Sequence, residues 1–245
     1  MTFSQWVQWA DQQMWGPGML VLLMGTGIYL TVRTRFLPWR NLGYALRSAL
    51  GREARVSSGG DGAVSPFSAL MTALAATIGT GNIAGVATAL TAGGPGALVW
   101  MELSAAFGLS SKFAECLLAV KYRQRSARGE WSGGPMYTMR KAISPRWLGR
   151  ALAFLFALST VLASFGIGNM TQSHSIAQAL NGVFHISPLL TGTVVTALAL
   201  FAVLGGIRSV SRVSSVLVPA MALFYLAAGL AVICGNLSVL PGAMV

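Results

Sequence analysis

Long stretches without charged side chains limit what this chain can fold into more than any other feature of its sequence. One of them, Gly62–Met101, contains no Asp, Glu, Lys or Arg. A helix needs about 20 apolar residues to cross a hydrocarbon core, and several stretches exceed that length. Barrel strands are excluded because no stretch alternates between apolar and polar residues over a regular repeat. The sequence therefore predicts an all-α polytopic membrane protein.

Six membrane-spanning helices are predicted from these stretches. They are expected at Gly16–Val32, Ser65–Thr91, Gly96–Val120, Arg150–Leu180, Pro188–Ile207 and Val213–Gly235. The stretch 16–32 is interpreted as a retained helix, since a signal peptide would begin with basic residues and a long basic segment follows instead. A short amphipathic helix over residues 135–143 is expected at the cytoplasmic membrane interface. The whole of 1–245 is predicted to form a single transmembrane domain.

Basic residues are distributed unevenly between the predicted connections. The connections after the first, third and fifth spans hold sixteen of the 17 Lys and Arg residues, and the alternate connections hold none. This positive-inside pattern places the basic loops in the cytoplasm and the N-terminus outside. The net charge of +11 therefore indicates orientation, and nucleic acid is not an expected partner. The remaining basic residue, Lys112, lies within the third span and is expected to pair with Glu115.

The second span contains an unusual polar and glycine-rich segment, Thr77–Gly85, with the sequence TIGTGNIAG. Glycine costs about 1 kcal/mol relative to alanine inside a helix, and the Thr80 hydroxyl offers the backbone a competing partner. A break near Gly79–Gly81 is therefore predicted. Backbone groups freed inside a membrane must be satisfied by protein, by a polar cavity or by a ligand. The helix start near Gly81 suits a carboxylate and the helix end near Ile78 suits a cation.

Two polar patterns leave a structural interpretation open. Gly81 and Gly85 form a GxxxG pair, which commonly allows membrane helices to pack closely without binding a ligand. Helical spacing also places Phe165, Asn169, Gln172 and Ile176 on one stripe of the fourth span. Such a stripe should face protein or a cavity, because an amide facing lipid is costly. Hydrogen bonds to neighbouring helices would satisfy Asn169 and Gln172 equally well.

Together with Thr88–Met101 (TALTAGGPGALVWM) and Ser132–Ala142 (SGGPMYTMRKA), the glycine-rich segment resembles the alanine or glycine:cation symporter family of bacterial membranes. The resemblance extends from about Gly25 to the C-terminus. It implies the inverted-repeat fold first described for a bacterial leucine transporter, in which the first helix of each five-helix repeat is broken. Residues 16–32 would then be an extra N-terminal helix, and residues 65–235 would be the first repeat.

The resemblance also implies roles for residues at the break. Backbone N–H groups at Thr80 and Gly81 would hold the substrate carboxylate, and the Thr77 carbonyl would face the substrate amine or a cation. The implied substrate-binding residues are Thr77, Gly79, Thr80, Gly81, Asn169 and Gln172. The implied sodium-binding residues are Ala75, Thr77, Ile78 and Asn82.

Together with the resemblance, which implies alanine or glycine as substrate and the bacterial inner membrane as location, these features predict sodium-coupled symport of small neutral amino acids. Na⁺ is the expected coupling ion, and no other metal or cofactor is expected. Resembling transporters carry a second repeat that completes the site, so the chain is expected to be an N-terminal half that needs that repeat or a partner chain. The alternatives are a proton- or sodium-coupled permease for another small zwitterion and a non-transporting membrane scaffold. An enzyme is not expected, because the sequence lacks GxSxG and paired intramembrane Asp residues.

Overall fold

The computed structural model of the protein describes residues 2–56, 64–125, 131–166 and 168–236. These residues are almost entirely helical. Within them the α-helices are α1 (Phe3–Met14), α2 (Pro17–Arg33), α3 (Leu37–Arg40), α4 (Leu42–Leu50), α5 (Pro66–Thr77), α6 (Ala84–Gly93), α7 (Gly96–Lys121), α8 (Pro135–Ala142), α9 (Arg146–Ser164), α10 (Met170–Phe184), α11 (Pro188–Leu204) and α12 (Gly206–Gly235). Short 3₁₀ turns cover Glu53–Arg55 and Thr80–Asn82, and β1 (Gln124–Arg125) pairs antiparallel with β2 (Trp131–Ser132).

Proline and serine set where several of these helices begin. Proline is the first residue of α2, α5, α8 and α11, a position where its missing N–H has no intrahelical partner to lose. Ser65 caps α5 by accepting the Ser68 N–H at 3.2 Å, and Ser187 caps α11 by accepting the Leu190 N–H at 3.3 Å. Each cap satisfies one of the orphan donors at a helix start.

Among the residues that the structure describes, four helical segments are long and apolar enough to cross a membrane: α1 with α2 (Ser4–Arg33), α7, α9 and α12. The interrupted pair α5 and α6 raises the number to five if it counts as one span, and α11 is apolar but shorter. Large apolar side chains are widely exposed, with Phe201 80% and Phe224 78% accessible. Such surfaces suit lipid or further protein rather than water. The all-α membrane prediction is confirmed, and the count of six spans stays a prediction.

Two predicted span boundaries are wrong. The span expected at Arg150–Leu180 is two helices, because α9 ends at Ser164 and α10 begins at Met170. Glycines at 166 and 168 disfavour helix there, and Asn169 starts α10 by accepting the Met170 N–H at 2.6 Å. The stripe predicted from Phe165 to Ile176 is therefore not the face of one helix. The last span begins at Gly206 rather than Val213, which puts Arg208 and Arg212 inside α12 instead of in a loop.

The described residues group into two compact units. The first unit comprises Met1–Ala45 and Ile83–Gly168, and the second comprises Leu46–Asn82 and Asn169–Val245. The predicted single domain stays a prediction.

In the first unit, α2 packs against α7 through a buried seam of small residues. A Cβ built on Gly27 would lie 2.9 Å from the Phe107 carbonyl oxygen, so glycine is what lets the two backbones approach. One turn further along, Thr31 Oγ1 lies 2.7 Å from the Gly27 carbonyl oxygen and 2.8 Å from Ser110 Oγ. Thr31 is 1% exposed and Ser110 is 0% exposed. Within the described part of the chain, the two hydroxyls of the seam have each other and the Gly27 carbonyl as their hydrogen-bond partners.

Replacing Thr31 with valine is expected to lower the free energy of unfolding by about 1–3 kcal/mol, because it leaves the buried Ser110 hydroxyl without its partner. Thermal unfolding in detergent would measure the loss. Thr160→Val is the matched control, since the exposed Thr160 hydroxyl also donates to a carbonyl four residues back. The double change Thr31→Val with Ser110→Ala should cost less than the sum of the single changes. Strict additivity would show that the two hydroxyls do not interact.

The predicted ion pair of α7 is confirmed. Lys112 Nζ lies 3.0 Å from the Glu115 carboxylate. Both side chains are largely exposed in the chain, and exposed pairs of this kind contribute about 1 kcal/mol or less. The pair belongs to the helix surface and not to the site described below.

In the second unit, α5 packs against α12. Ser68 Oγ and Ser215 Oγ lie 2.9 Å apart, and Met71 and Val218 are buried beside them. A groove of about 700 Å³ opens along this contact, and its lining includes no residue of the segment 77–82. This contact holds the first half of the interrupted helix in place.

Candidate functional site

The helix that begins at Pro66 is interrupted where the sequence predicts a break. The helical hydrogen bonds of α5 end at Thr77, and Ile78 has an extended backbone with ψ of 106°. A 3₁₀ turn follows at Thr80–Asn82, closed by the Asn82 N–H donating to the Gly79 carbonyl oxygen at 3.0 Å. Helix α6 begins at Ala84. Six residues between Thr77 and Ala84 therefore lie outside α-helix, in a segment with two glycines.

The last turn of α5 ends in backbone carbonyl groups that the interrupted helix leaves without N–H partners. The Ile78 N–H donates to the Leu74 carbonyl oxygen at 2.7 Å. Among the described residues, no backbone N–H is recorded on the carbonyls of Ala75, Ala76 and Thr77. The Thr77 hydroxyl donates back to the Ala73 carbonyl at 2.8 Å, so it serves its own helix. Carbonyl oxygens at a helix end carry partial negative charge, which is the chemistry that a hard cation requires.

The turn after the break meets Gln172, which lies in the first turn of α10. The Thr80 N–H donates to Gln172 Oε1 at 3.2 Å. Both residues are half-buried and both belong to the second unit. An amide oxygen therefore satisfies a donor that the interrupted helix leaves outside the backbone ladder.

Gly79 is the residue that lets Gln172 reach the backbone. A Cβ at Gly79 would lie 2.5 Å from Gln172 Nε2 and 3.0 Å from Oε1. No side chain can occupy that space while the amide stays where it is. The glycine is thus explained by a close approach and not only by helix breaking.

Gln172 lies where its side chain could instead have capped its own helix, α10. Asn169 is the N-cap of α10, and Gln172 lies three residues later, the position from which a Gln can reach back to the cap N–H in a capping box. Helix α1 shows that arrangement, where Gln5 Oε1 accepts the Thr2 N–H at 2.9 Å. Gln172 instead bonds to Thr80, which is 92 residues earlier in the chain. Its side chain serves the break and not its own helix.

The other predicted site residues are not drawn into this contact. Asn169 uses its side-chain oxygen to cap α10, and its recorded partner is the Met170 N–H. Gly81 and Asn82 are exposed on the turn, and a Cβ on Gly81 would meet nothing within 4 Å. Two glycines, Gly166 and Gly168, followed by the capping residue Asn169 are the sequence signal for a new helix start. That signal places Gln172 in the first turn of α10.

Comparison with known proteins gives a consistent result over the whole chain. Residues 1–245 match the model of a family described as the sodium:alanine symporter family. The sodium/alanine symporter AgcS of Methanococcus maripaludis is 48% identical over 237 residues, which is 97% of this chain and 52% of AgcS. An uncharacterized transporter of Haemophilus influenzae is 46% identical over 245 residues, 100% of this chain and 52% of its own length. The probable sodium/glutamine symporter GlnT of Bacillus subtilis is 35% identical over 236 residues, 96% of this chain and 48% of GlnT. The chain spans about half the length of the curated relatives it matches.

Proposed function

The chain belongs to the sodium:alanine symporter family, a family of transporters, and we propose that it forms part of a carrier that couples small neutral amino acids to Na⁺. It is a multi-pass membrane protein. Alanine and glycine are the first substrates to expect. In the proposed orientation the N-terminus lies outside the bacterial inner membrane and the basic loops face the cytoplasm.

The observation that supports this proposal is the polarity of the break. One side presents helix-end carbonyls at Ala75–Thr77, and the other presents the Thr80 N–H within contact of an amide side chain. A zwitterion with a companion cation matches this pairing of acceptors and donors. A helix that served only for close packing would not need a polar side chain seated on its backbone.

We assign the substrate and sodium contacts to the two sides of the break, the N–H groups after it and the carbonyls before it. Backbone N–H groups of Thr80 and Gly81 hold the substrate carboxylate, and Gln172 contacts it from α10. The Thr77 carbonyl faces the amine, while Asn169 stays a proposed contact from the start of α10. For sodium, the proposed oxygen ligands are the carbonyls of Ala75, Thr77 and Ile78 and the side chain of Asn82.

A complete carrier requires more than these residues. The proposal includes a second five-helix repeat, in the same polypeptide or in a partner chain, that closes the substrate and sodium sites. Its broken helix would face the segment 77–82 across the substrate.

Uptake into proteoliposomes with an imposed Na⁺ gradient tests the function. The full-length protein is expected to accumulate radiolabelled alanine with Na⁺ outside and not with K⁺ outside. Gln172→Leu is expected to reduce this uptake about tenfold, the effect of losing about 1.4 kcal/mol of binding from one polar contact. Gln178→Leu, which alters an exposed glutamine of the same helix, is the matched control.

The same assay separates the alternatives. Competition by unlabelled glycine is expected from the main proposal, whereas competition by unlabelled glutamine and not by glycine would identify a carrier for another small zwitterion; the similarity to GlnT is the reason to include glutamine. Uptake driven by a proton gradient without Na⁺ would show that the coupling ion is H⁺ and not Na⁺. The absence of accumulation under every gradient, with normal membrane insertion, would favour a scaffold and contradict transport.

A further inference from the structure

We propose that the groove between α8 and α9 binds one anionic phospholipid, with the headgroup phosphate on Arg140 and Arg150 and an acyl chain along the apolar face of α9. This inference requires only that the protein lies in a membrane. It does not depend on which solute is carried or on which ion drives the transport.

The groove lies where α8 packs against the start of α9, a helix long and apolar enough to cross a membrane. Its volume is about 350 Å³, within the range of pockets that bind small ligands. The lining includes Tyr137 and Arg140 of α8 and Arg150, Phe154 and Ala157 of α9. Basic and apolar side chains therefore share one concave surface.

Gly149 fixes the two walls of the groove relative to each other. A Cβ built on it would lie 2.6 Å from the Met139 carbonyl oxygen, so the backbones of α8 and α9 approach closely there. Arg150 follows Gly149 on α9, and Arg140 follows Met139 on α8. The two arginines thus extend from positions beside one backbone contact, which keeps both at the same groove.

The charges of these two arginines are not matched by acids within the described part of the chain. The ion pair recorded there joins Lys112 to Glu115, and the sequence has no Asp or Glu from Pro135 to Ser164. A guanidinium group is a planar fork of N–H donors that matches the oxygens of a phosphate. A phosphate-bearing anion is therefore the ligand whose charge complements this end of the groove.

The other end of the groove is apolar. Phe154 and Ala157 lie four and seven residues after Arg150, a spacing that places all three on one face of α9. Seven residues of helix extend about 10 Å along the axis, so this face runs from the charged end into the span. Trp147, in the first turn of α9, is 70% exposed, as is typical of tryptophan at a membrane–water interface. A phospholipid carries its anionic head and apolar chain in the same order, whereas an inorganic anion would leave the apolar half unfilled.

Lipid binding to the full-length protein in a neutral detergent tests the charged half of the groove. Native mass spectrometry would count bound dioleoyl phosphatidylglycerol and dioleoyl phosphatidylcholine, which share their chains, across a titration of each lipid. Arg140→Gln with Arg150→Gln removes both charges of the groove. Lys141→Gln with Arg146→Gln is the matched control, because it removes two exposed charges at neighbouring positions of α8 and α9 that are outside the lining.

A second pair of variants tests the apolar half. Ala157→Leu fills part of this half without changing the charge. Ala163→Leu is its control, at an exposed position of α9 outside the lining. Size-exclusion profiles that match the wild-type protein confirm that the variants are folded.

The wild-type protein is expected to bind one phosphatidylglycerol with at least about tenfold preference over phosphatidylcholine, the equivalent of about 1.4 kcal/mol. The double change at Arg140 and Arg150 should remove this preference, because it removes the guanidinium donors to the phosphate. Ala157→Leu should weaken phosphatidylglycerol binding severalfold, since the chain loses room on α9. Both control variants should bind like the wild-type protein.

Three outcomes would overturn the proposal. An equal loss of preference in the Lys141 and Arg146 variant would assign it to the general surface charge. Displacement of the lipid by millimolar inorganic phosphate, or unchanged binding in Ala157→Leu, would show a simple anion site. Absence of bound phosphatidylglycerol in the wild-type protein would show that other protein, such as a second repeat, covers the groove. Sodium-driven alanine uptake is measured separately, so a failure of transport leaves this result unaffected.

Discussion

Gly79→Ala is expected to reduce sodium-driven alanine uptake by about tenfold to a hundredfold, the equivalent of losing about 1.5–3 kcal/mol of interaction with a charged group. The added Cβ would lie 2.5 Å from Gln172 Nε2, so the amide has to leave the Thr80 N–H. The displaced group is the far end of a flexible side chain. Stability should therefore change little while the contact to the break is lost.

Two comparisons make this result interpretable. Gly85→Ala places the same methyl group where nothing lies within 4 Å among the described residues, and uptake should stay near the wild-type rate. The double variant Gly79→Ala with Gln172→Leu should be no worse than the poorer single variant, since both act on one contact. Additive losses would show that Gly79 acts on the substrate by another route.

Gly27→Leu is expected to be the most destabilising of the substitutions described, with a loss of about 3 kcal/mol. The first atoms that a side chain meets are backbone atoms of Phe107, at 2.9 Å for the carbonyl oxygen. Backbone in the middle of α7 cannot turn aside as a side chain can. The helices would have to separate, which would also pull Thr31 away from Ser110.

Gly25→Leu is the control for this prediction. It lies two residues earlier on the exposed side of α2, where a Cβ would meet nothing within 4 Å. Its unfolding temperature should match or exceed that of the wild-type protein, because leucine favours helix over glycine. Similar losses in both variants would locate the cost in α2 itself and not in its contact with α7.

The interrupted helix could be predicted because its cause is local. Gly79, Thr80 and Gly81 weaken a helix wherever they occur, and the surrounding apolar residues show that the stretch belongs in a membrane. The ends of α2 and α7 also fell close to their predicted positions, since proline, glycine and basic residues mark them. Helix ends and breaks that depend on local residue types can be predicted from a single sequence.

The division between α9 and α10 differs from the predicted single span, because that prediction rests on helical spacing alone. Periodicity alone joined Phe165 to Ile176, although Gly166, Gly168 and Asn169 are residues that end one helix and begin another. The contact between Gln172 and Thr80 was beyond reach from the residues alone, because it joins positions 92 apart. Only the resemblance to a family suggested that the two segments face each other. The sodium ligands and the substrate contacts of Asn169 and Gly81 stay predictions.

The buried hydroxyls of Thr31 and Ser110 bear on how such a carrier could move. Sliding α2 along α7 would separate the Thr31 hydroxyl from the Ser110 hydroxyl, and Gly27 would no longer oppose the Phe107 backbone. The contacts between α2 and α7 form in one register of the two helices, and other registers lose them. Whatever rearrangement opens and closes the pathway, these two helices should travel together as a rigid pair, with no shear between them.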